Sequence, residues 1–170
     1  KSDGVSRALS GKILSKFEEA GLKPIAMKML KASQDLAKRH YSLNEEWAKK
    51  VFEKTKTTSE KEGRPFNYKD PIEFGSMIQK WNMSFLCEGP IIAMVLQGNH
   101  AIEIVRKLIG HTEPKQPLPG TIRGDYASFE SYEIANSENR VLRNLVHASD
   151  SLENAKYEIS LWFKDSELCA

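Results

Sequence analysis

The sequence has little cysteine, little excess charge and no long apolar run. Its two cysteines, Cys87 and Cys169, are too few for a disulfide scaffold, and neither has the spacing of a zinc site. The net charge of +2 gives no support to a general polyanion binder. No apolar segment approaches the roughly 20 residues of a membrane-spanning helix, and no signal peptide is visible. These absences favour a protein of the reducing cytoplasm, with no membrane partner.

A P-loop is absent as well. Gly4 and Gly11 are separated by six residues rather than four, and Ile13 follows Lys12 where the motif requires Ser or Thr. Any phosphate site in this chain must therefore be built from a local cluster of Lys, Arg and His.

The rest of the composition is that of one globular domain spanning residues 1–170, with 40% hydrophobic and 28% charged residues. Apolar residues at helical spacing predict helices over 5–17, 33–39, 44–56, 74–85, 102–109 and 155–162, the last capped by Ser151. Strands are predicted over 25–29, 91–96 and 142–146, whereas 55–70 and most of 111–143 are predicted as loops. The fold class is therefore α/β (α+β), with helices covering a small sheet.

One candidate for nucleophilic chemistry is His147, which lies among short polar residues at the end of the third predicted strand. An imidazole can supply a neutral nucleophile at pH 7, and Glu158, eleven residues later, can hold one ring nitrogen and leave the other free. A lone histidine near a strand end is more often structural, and the sequence pattern alone leaves that alternative open.

A second candidate is the segment from Gly120 to Asp125, in which two glycines flank Arg123. Small neighbours allow the main chain and the guanidinium to approach an anion closely. Arg106, Thr112 and Lys1 can add donors to form a cationic phosphate pocket. A single arginine is more commonly a surface charge, and an adhesion role for Arg-Gly-Asp does not suit a cytoplasmic protein.

Four segments together resemble the nucleoside diphosphate kinase family: Lys1 to Val5, Gly120 to Asp125, Asn144 to Asp150, and Glu158 to Phe163. The resemblance covers nearly the whole chain apart from two insertions, one after Tyr41 and one after Asp125. It implies a ferredoxin-like βαββαβ sandwich in which an antiparallel sheet is covered by helices. The first strand of that fold would precede Lys1. The insertions are expected at about 44–84 and 126–143.

The resemblance also implies a ping-pong phosphotransferase. His147 would attack the γ-phosphate of a nucleoside triphosphate, typically ATP, and a nucleoside diphosphate would then take the phosphoryl group from phosphohistidine. The catalytic residues would be His147, Glu158, Ser149 and Lys1. The nucleotide and its phosphates would contact Lys1, Tyr41, Arg106, Thr112, Arg123, Val141 and Asn144.

The same resemblance implies the cofactor and the partners. Mg²⁺ would be held mainly by the nucleotide phosphates, with no direct protein ligand. A homo-oligomer is expected, a hexamer rather than a tetramer. Neither a membrane nor a specific nucleic acid is an expected partner.

The chain departs from the family pattern at a few positions. Ala148 replaces the usual glycine after the histidine, and we expect it to adopt an allowed backbone conformation. Because the first insertion covers the hairpin that closes on the base, the stacking residue cannot be placed. Phe66, Phe74 and Ile78 are candidates, although Phe74 and Ile78 also suit core packing.

Two other functions stay open at this point. The chain could be a catalytically inactive nucleotide-binding relative that serves as a scaffold or regulator. It could also bind nucleic acid through the lysines between Lys49 and Lys69, although glutamates interleave there and favour a solvated segment. His40 is expected to pack at a helix end, and His100 and His111 are expected at the surface.

Overall fold

The sheet, in the part of the chain that the structure describes, consists of two antiparallel strands. The computed structural model describes residues 1–61 and 63–169. Within them, β1 (Lys23–Leu30) pairs with β2 (Ile91–Gln97), with one irregularity between Pro24 and Ala26. The predictions of strands over 25–29 and 91–96 are confirmed.

The described residues form nine α-helices around this sheet. They are α1 (Ser2–Ser6), α2 (Ser10–Glu19), α3 (Gln34–His40), α4 (Glu45–Lys61), α5 (Pro71–Cys87), α6 (Ala101–Ile109), α7 (Ile122–Tyr126), α8 (Tyr132–Ser137) and α9 (Leu152–Trp162). A short 3₁₀ turn, Asp165–Glu167, follows α9. Over 1–61 and 63–169, no helix combines the length and the apolar character needed to cross a bilayer.

The core lies on both faces of the sheet because the side chains of β2 alternate between them. Met94 and Leu96 pack against the cluster formed by α2 and α6. Val95 packs in the opposite direction, against Phe163 and Ile159 at the end of α9. Helices therefore cover a small antiparallel sheet, as the sequence predicts.

The helix predicted over 5–17 is instead two helices, α1 and α2. Ala8 has φ 55°, a left-handed conformation that cannot continue a right-handed helix. The Leu9 amide donates back to the Gly4 carbonyl across this break. The turn lets Leu9 join Ile13 and Phe17 in the core.

The prediction of a loop over 55–70 is wrong for its first part, because α4 continues to Lys61. Its threonines are accommodated in the helix. Thr55 and Thr58 donate their hydroxyls to the main-chain carbonyls one turn earlier, at 2.8 and 2.9 Å. Phe52 and Ser59 are buried, so the polar composition here belongs to the solvent side of a helical hairpin formed by α4 and α5.

Two further predictions need correction in the C-terminal half. Residues 111–143 contain the short helices α7 and α8, capped by the Thr121 and Ser131 hydroxyls. The prediction of a strand over 142–146 is wrong, since none of these residues is in a strand. Their main-chain groups bond to side chains and within a tight turn instead, as described below.

Residues 91–96 of β2 also line an open cavity of about 240 Å³, whose other walls include Phe17, Val146 and Trp162. The strand expected before Lys1 lies outside the sequence and stays an expectation.

Candidate active site

His147 and Glu158 are brought together by the way α9 begins. The Ser151 hydroxyl accepts the Asn154 amide at 3.1 Å and so fixes the first turn of the helix. This cap confirms the sequence prediction. Glu158 follows in the middle of the helix, and its Oε1 lies 2.8 Å from Nε2 of His147.

Both oxygens of the Glu158 carboxylate are used. His147 donates to Oε1, and the Ser149 hydroxyl donates to Oε2 at 2.5 Å. Burial opposes ionisation of this carboxyl, but the hydrogen bonds from His147 and Ser149 outweigh it and hold the pKa of Glu158 below its ordinary value. Glu158 is therefore a carboxylate at neutral pH.

This hydrogen bond fixes the tautomer of His147. A carboxylate only accepts, so Nε2 carries the proton and Nδ1 carries the lone pair. The imidazole side chain is 39% exposed, so a phosphate can reach it. Together, Glu158 and Ser149 present a nucleophilic nitrogen at the protein surface.

The segment before His147 is a tight turn rather than a strand. Leu145 has φ 67°, which is strained for a leucine and costs of order 1–3 kcal/mol. The Val146 amide donates to the Asn144 carbonyl at 2.8 Å, which closes a three-residue turn. Leu145 is 1% exposed, so its side chain anchors the turn in the core.

Two buried charged side chains hold this turn. Asp3 accepts the Leu145 amide at 3.0 Å and the Gly4 amide at 3.0 Å, one on each oxygen. Arg123 donates to the carbonyls of Asn144, Val146 and Gly110 at 3.1, 2.9 and 2.9 Å. These hydrogen bonds stabilise the strained conformation of Leu145. They also occupy main-chain groups that would otherwise pair with a neighbouring strand.

Arg123 consequently lies in the site, but three of its five N–H groups bond to main chain. Burial, followed by the charge of Arg106, lowers the pKa of Arg123 to about 10, so it stays cationic at neutral pH. Arg106 itself is exposed on α6. The two guanidiniums form a positive region near the turn.

Lys1 joins the same region. Its Nζ donates to Asn144 Oδ1 at 2.6 Å and lies 5.2 Å from the centre of the Phe85 ring. Burial is the main reason that the pKa of Lys1 is lowered to about 8. The positive charge of Arg123 adds to this effect, and the negative charge of Asp3 opposes it. The side-chain amide of Asn144 in turn donates to the Thr112 carbonyl at 2.9 Å. This bond holds the loop that contains Thr112 at the site, where Thr112 is exposed.

The ring of Tyr41 lies edge-on to the ring of His147, with the ring centres 6.3 Å apart. Burial, with the nearby Glu158 charge second, raises the pKa of Tyr41 well above its ordinary value, so the phenol stays protonated. Gln79 of α5 donates to the Tyr41 carbonyl at 2.6 Å, which fastens this residue to the helical hairpin.

Val141 makes no hydrogen bond or ring contact with His147 and does not line the cavity that His147 lines. It lines a separate cavity of about 450 Å³ together with Trp81, Phe85 and Arg143. Phe85 connects the two regions because the Lys1 ammonium and the Arg143 guanidinium lie 5.2 and 5.3 Å from its ring centre. The sequence interpretation missed Trp81 and Phe85, whose helical spacing marked them only as apolar residues of α5.

The stacking candidates Phe66 and Phe74 pack into the helical hairpin instead. Phe66 lies 5.1 Å from Phe52 and 5.4 Å from Phe74 between ring centres, and Phe74 is 3% exposed. Neither they nor Ile78 lines the cavity beside Val141. The core-packing alternative therefore fits Phe74.

The backbone at Ala148 is ordinary. Ala148 does not have the positive φ that would favour glycine. The replacement of the family's glycine therefore creates no backbone strain beside the nucleophile.

Among residues 1–61 and 63–169, one group of side chains has metal-ligand geometry: His40, His147 and Glu158, with one ligand atom of each within 4.8 Å of the others. The imidazoles and the carboxylate are already hydrogen-bonded to one another or to Trp162. Mg²⁺ prefers oxygen ligands in octahedral geometry, so this nitrogen-rich cluster does not fit it.

The chain matches the family model described as nucleoside diphosphate kinase over residues 1–63 and 74–168. A nucleoside diphosphate kinase of Pyrobaculum aerophilum is 46% identical over 172 residues, which cover 99% of this chain and 93% of that protein. One of Borreliella burgdorferi is 38% identical over 170 residues, which cover 99% of this chain and 86% of that protein.

Solved structures agree with these relatives. The crystal structure of an NDP kinase from Pyrobaculum aerophilum superposes with a TM-score of 0.94 at 42% identity, covering 100% of this chain and 95% of that one. A transition-state mimic of the Borrelia burgdorferi enzyme with bound vanadate and ADP gives a TM-score of 0.80 at 36% identity, covering 100% and 86%. The ferredoxin-like architecture expected from the sequence is therefore the fold of this chain.

Proposed function

The chain belongs to the nucleoside diphosphate kinase family, and we propose that it transfers the γ-phosphoryl group of a nucleoside triphosphate, typically ATP, to a nucleoside diphosphate through phosphohistidine at His147. One observation carries this proposal: Glu158 holds Nε2 of His147 at 2.8 Å and leaves the Nδ1 lone pair on a partly exposed ring.

In the first half-reaction, the Nδ1 lone pair forms a bond to the γ-phosphorus, and the bond from that phosphorus to the β,γ-bridging oxygen breaks. The nucleoside diphosphate leaves with the electron pair. The Nε2 proton stays in its hydrogen bond, and the Glu158 carboxylate stabilises the positive charge that develops on the imidazole. A second nucleoside diphosphate reverses these steps and regenerates neutral His147.

The cationic region around the turn is suited to the phosphates. Lys1 and Arg106 add positive charge, and Arg123 retains two N–H groups beyond its main-chain contacts. The Thr112 side chain can add a hydroxyl donor. Phosphoryl transfer depends mainly on positioning and charge stabilisation, and a fixed arrangement of donors supplies both.

The nucleoside would lie beyond the phosphates. Lys1 and Asn144 would bond the sugar hydroxyls, and Val141 would contact one face of the base. The cavity that Val141 shares with Trp81 and Phe85 supports this placement. The cavity lining also includes polar and charged side chains, among them Glu88, Arg140 and Arg143. The aromatic surface of Trp81 and Phe85 within it can accept any base, since each has a π-face.

Mg²⁺ would arrive with the nucleotide as part of the substrate, bound to its phosphate oxygens. Among residues 1–61 and 63–169, the group with metal-ligand geometry is the nitrogen-rich cluster of His40, His147 and Glu158, and Mg²⁺ prefers oxygen ligands such as those of the nucleotide phosphates.

A homo-oligomer, hexameric rather than tetrameric, completes the proposal. The outer edge of β1 is unpaired among the described residues, and Met27 and Met29 are 54% and 62% exposed beside it. Exposed apolar side chains on a free strand edge favour association. Both cysteines are free, which is consistent with a cytoplasmic location.

Steady-state kinetics test the reaction. With ATP and a second nucleoside diphosphate varied together, a covalent intermediate requires parallel double-reciprocal plots. His147→Ala should abolish transfer, whereas His100→Ala, the same change at an exposed histidine, should leave it unchanged. Intersecting plots, or a His147→Ala variant with normal turnover, would exclude the phosphohistidine route. Nucleotide binding without any turnover in the wild type would indicate the inactive relative.

A further inference from the structure

A second imidazole lies against the nucleophile and has no part in the mechanism above. His40 is the last residue of α3, and its ring centre lies 4.7 Å from that of His147, with the planes at 80°. It also makes edge contacts with Tyr41 and Trp162, at 4.6 and 5.4 Å. The sequence predicted only a packing role at a helix end for His40.

The tautomer of His40 is fixed by Trp162. The indole Nε1 donates to Nδ1 of His40 at 3.2 Å. An indole N–H can only donate, so Nδ1 of His40 carries a lone pair and its ring proton lies on Nε2. Protonation of Nδ1 would place two donors against each other.

One face of α9 therefore orients both imidazoles. Glu158 and Trp162 are four residues apart, which places them on the same side of the helix. Glu158 accepts the proton of one ring, and Trp162 occupies the lone pair of the other. The two contacts have opposite effects on charge: the first favours a cationic His147, and the second disfavours a cationic His40.

We propose that Trp162 is a positioning residue whose N–H, added to the burial of the ring, fixes His40 as the neutral tautomer beside His147, so that the nucleophile is the one imidazole of the pair that can take up positive charge during phosphoryl transfer. This inference rests on the proposed function. A cationic His40 would repel the charge developing on His147 and compete for the Glu158 carboxylate.

The charged and titratable groups facing His40 support a neutral ring. Burial and then the charge of His147 lower the pKa of His40 to about 4; the Glu158 carboxylate opposes this shift, and Lys1 makes the smallest contribution to it. The adjacent Tyr41 stays protonated. On α9, Tyr157 bonds to the Arg39 carbonyl, and the Arg39 side chain is exposed and lies 4.0 Å from Asp35.

Trp162→Phe tests the proposal because it removes the N–H while keeping an aromatic ring. The rate of phosphoenzyme formation would be measured in single turnovers between pH 5 and 8. Burial and the charge of His147 remain in the variant, so we expect the loss of one hydrogen bond to raise the pKa of His40 from about 4 by roughly one unit. The variant should match wild type near pH 8 and be about twofold slower at pH 5.

Two controls separate this effect from a structural one. Trp47→Phe makes the same chemical change on α4 and should leave the pH profile unchanged. His40→Asn keeps an acceptor near the position of Nδ1 but cannot titrate, so adding Trp162→Phe to it should produce no acid shift. A loss of rate that is equal at every pH, or an acid shift that persists in the double variant, would overturn the proposal.

Nitrogen NMR of histidine-labelled wild-type protein tests the same inference without turnover. We expect His40 to be the neutral Nε2–H tautomer at pH 5.5, and its pKa to rise by roughly one unit in Trp162→Phe. A wild-type His40 that titrates between pH 6 and 7 would refute the inference. Failure of phosphoenzyme formation in the wild type would instead refute the proposed function.

Discussion

Replacing Glu158 by glutamine isolates the charge of the group that holds the nucleophile. Glutamine has nearly the same shape and retains one acceptor, so the Nε2 hydrogen bond can persist while the negative charge is lost. The hydrogen bond is 2.8 Å long and the Glu158 side chain is 19% exposed, so solvent screens it only partly. The substitution therefore removes electrostatic support for the imidazolium that forms as Nδ1 attacks.

The magnitude is the difference between a hydrogen bond to a charged group, about 1.5–3 kcal/mol net, and one to a neutral group, about 0.5–1.5 kcal/mol. Each 1.36 kcal/mol corresponds to roughly a tenfold change in rate. Glu158→Gln should therefore lower kcat/KM by roughly 5- to 13-fold. His147→Ala should be far more severe because no covalent intermediate can form, and Glu158→Ala should also be less severe than His147→Ala.

The assay is a single-turnover measurement of phosphoenzyme formation at pH 7.5, with thermal unfolding of each variant as the control. A Glu158→Gln rate equal to that of wild type would show that the carboxylate charge is irrelevant to the reaction. Equal losses for Glu158→Ala and His147→Ala, accompanied by a lower melting temperature in both, would show that Glu158 is a structural anchor.

Three further predictions concern the surroundings of the site. ADP affinity, measured by calorimetry, should weaken as the pH rises through about 8, where buried Lys1 loses its charge; unchanged affinity up to pH 10 would remove Lys1 from the phosphate site. Asp3→Asn replaces an acceptor with a donor against the Leu145 or Gly4 amide. It should lower the free energy of unfolding, measured with denaturant, by about 1–3 kcal/mol and slow phosphorylation. An unaltered free energy of unfolding would show that Asp3 does not hold the turn. Ser151→Ala removes the cap of α9 and should lower the free energy of unfolding by about 1 kcal/mol. An unchanged melting temperature would contradict this prediction.

The parts of the fold that follow from local patterns could be predicted from the sequence. The alternation in β1 and the apolar run in β2 locate both strands, and Ser151 marks the start of α9. The polar part of α4 could not be predicted, because its helix depends on packing against α5 and on threonines that bond within the helix.

The candidate site likewise has one part that local sequence predicts and another that depends on long-range contacts. The pairing of His147 with Glu158 is a short-range relation across one helix start, and the resemblance to a family marks both residues. The turn at Leu145 depends on Asp3, which is 142 positions away, and on Arg123. The contact between His40 and Trp162 spans 122 positions. Local periodicity cannot reveal such long-range hydrogen bonds, so residues 142–146, with the apolar Leu142, Leu145 and Val146, are predicted as a strand.

The most direct test of the central claim is to identify the phosphorylated atom. The full-length protein would be incubated with magnesium and γ-labelled ATP, examined by phosphorus and nitrogen NMR, and then chased with GDP. We predict an acid-labile, base-stable phosphoryl group on Nδ1 of His147 that moves quantitatively to GDP. A phosphoryl group on Nε2, label that GDP cannot remove, or no label on His147 would contradict the account.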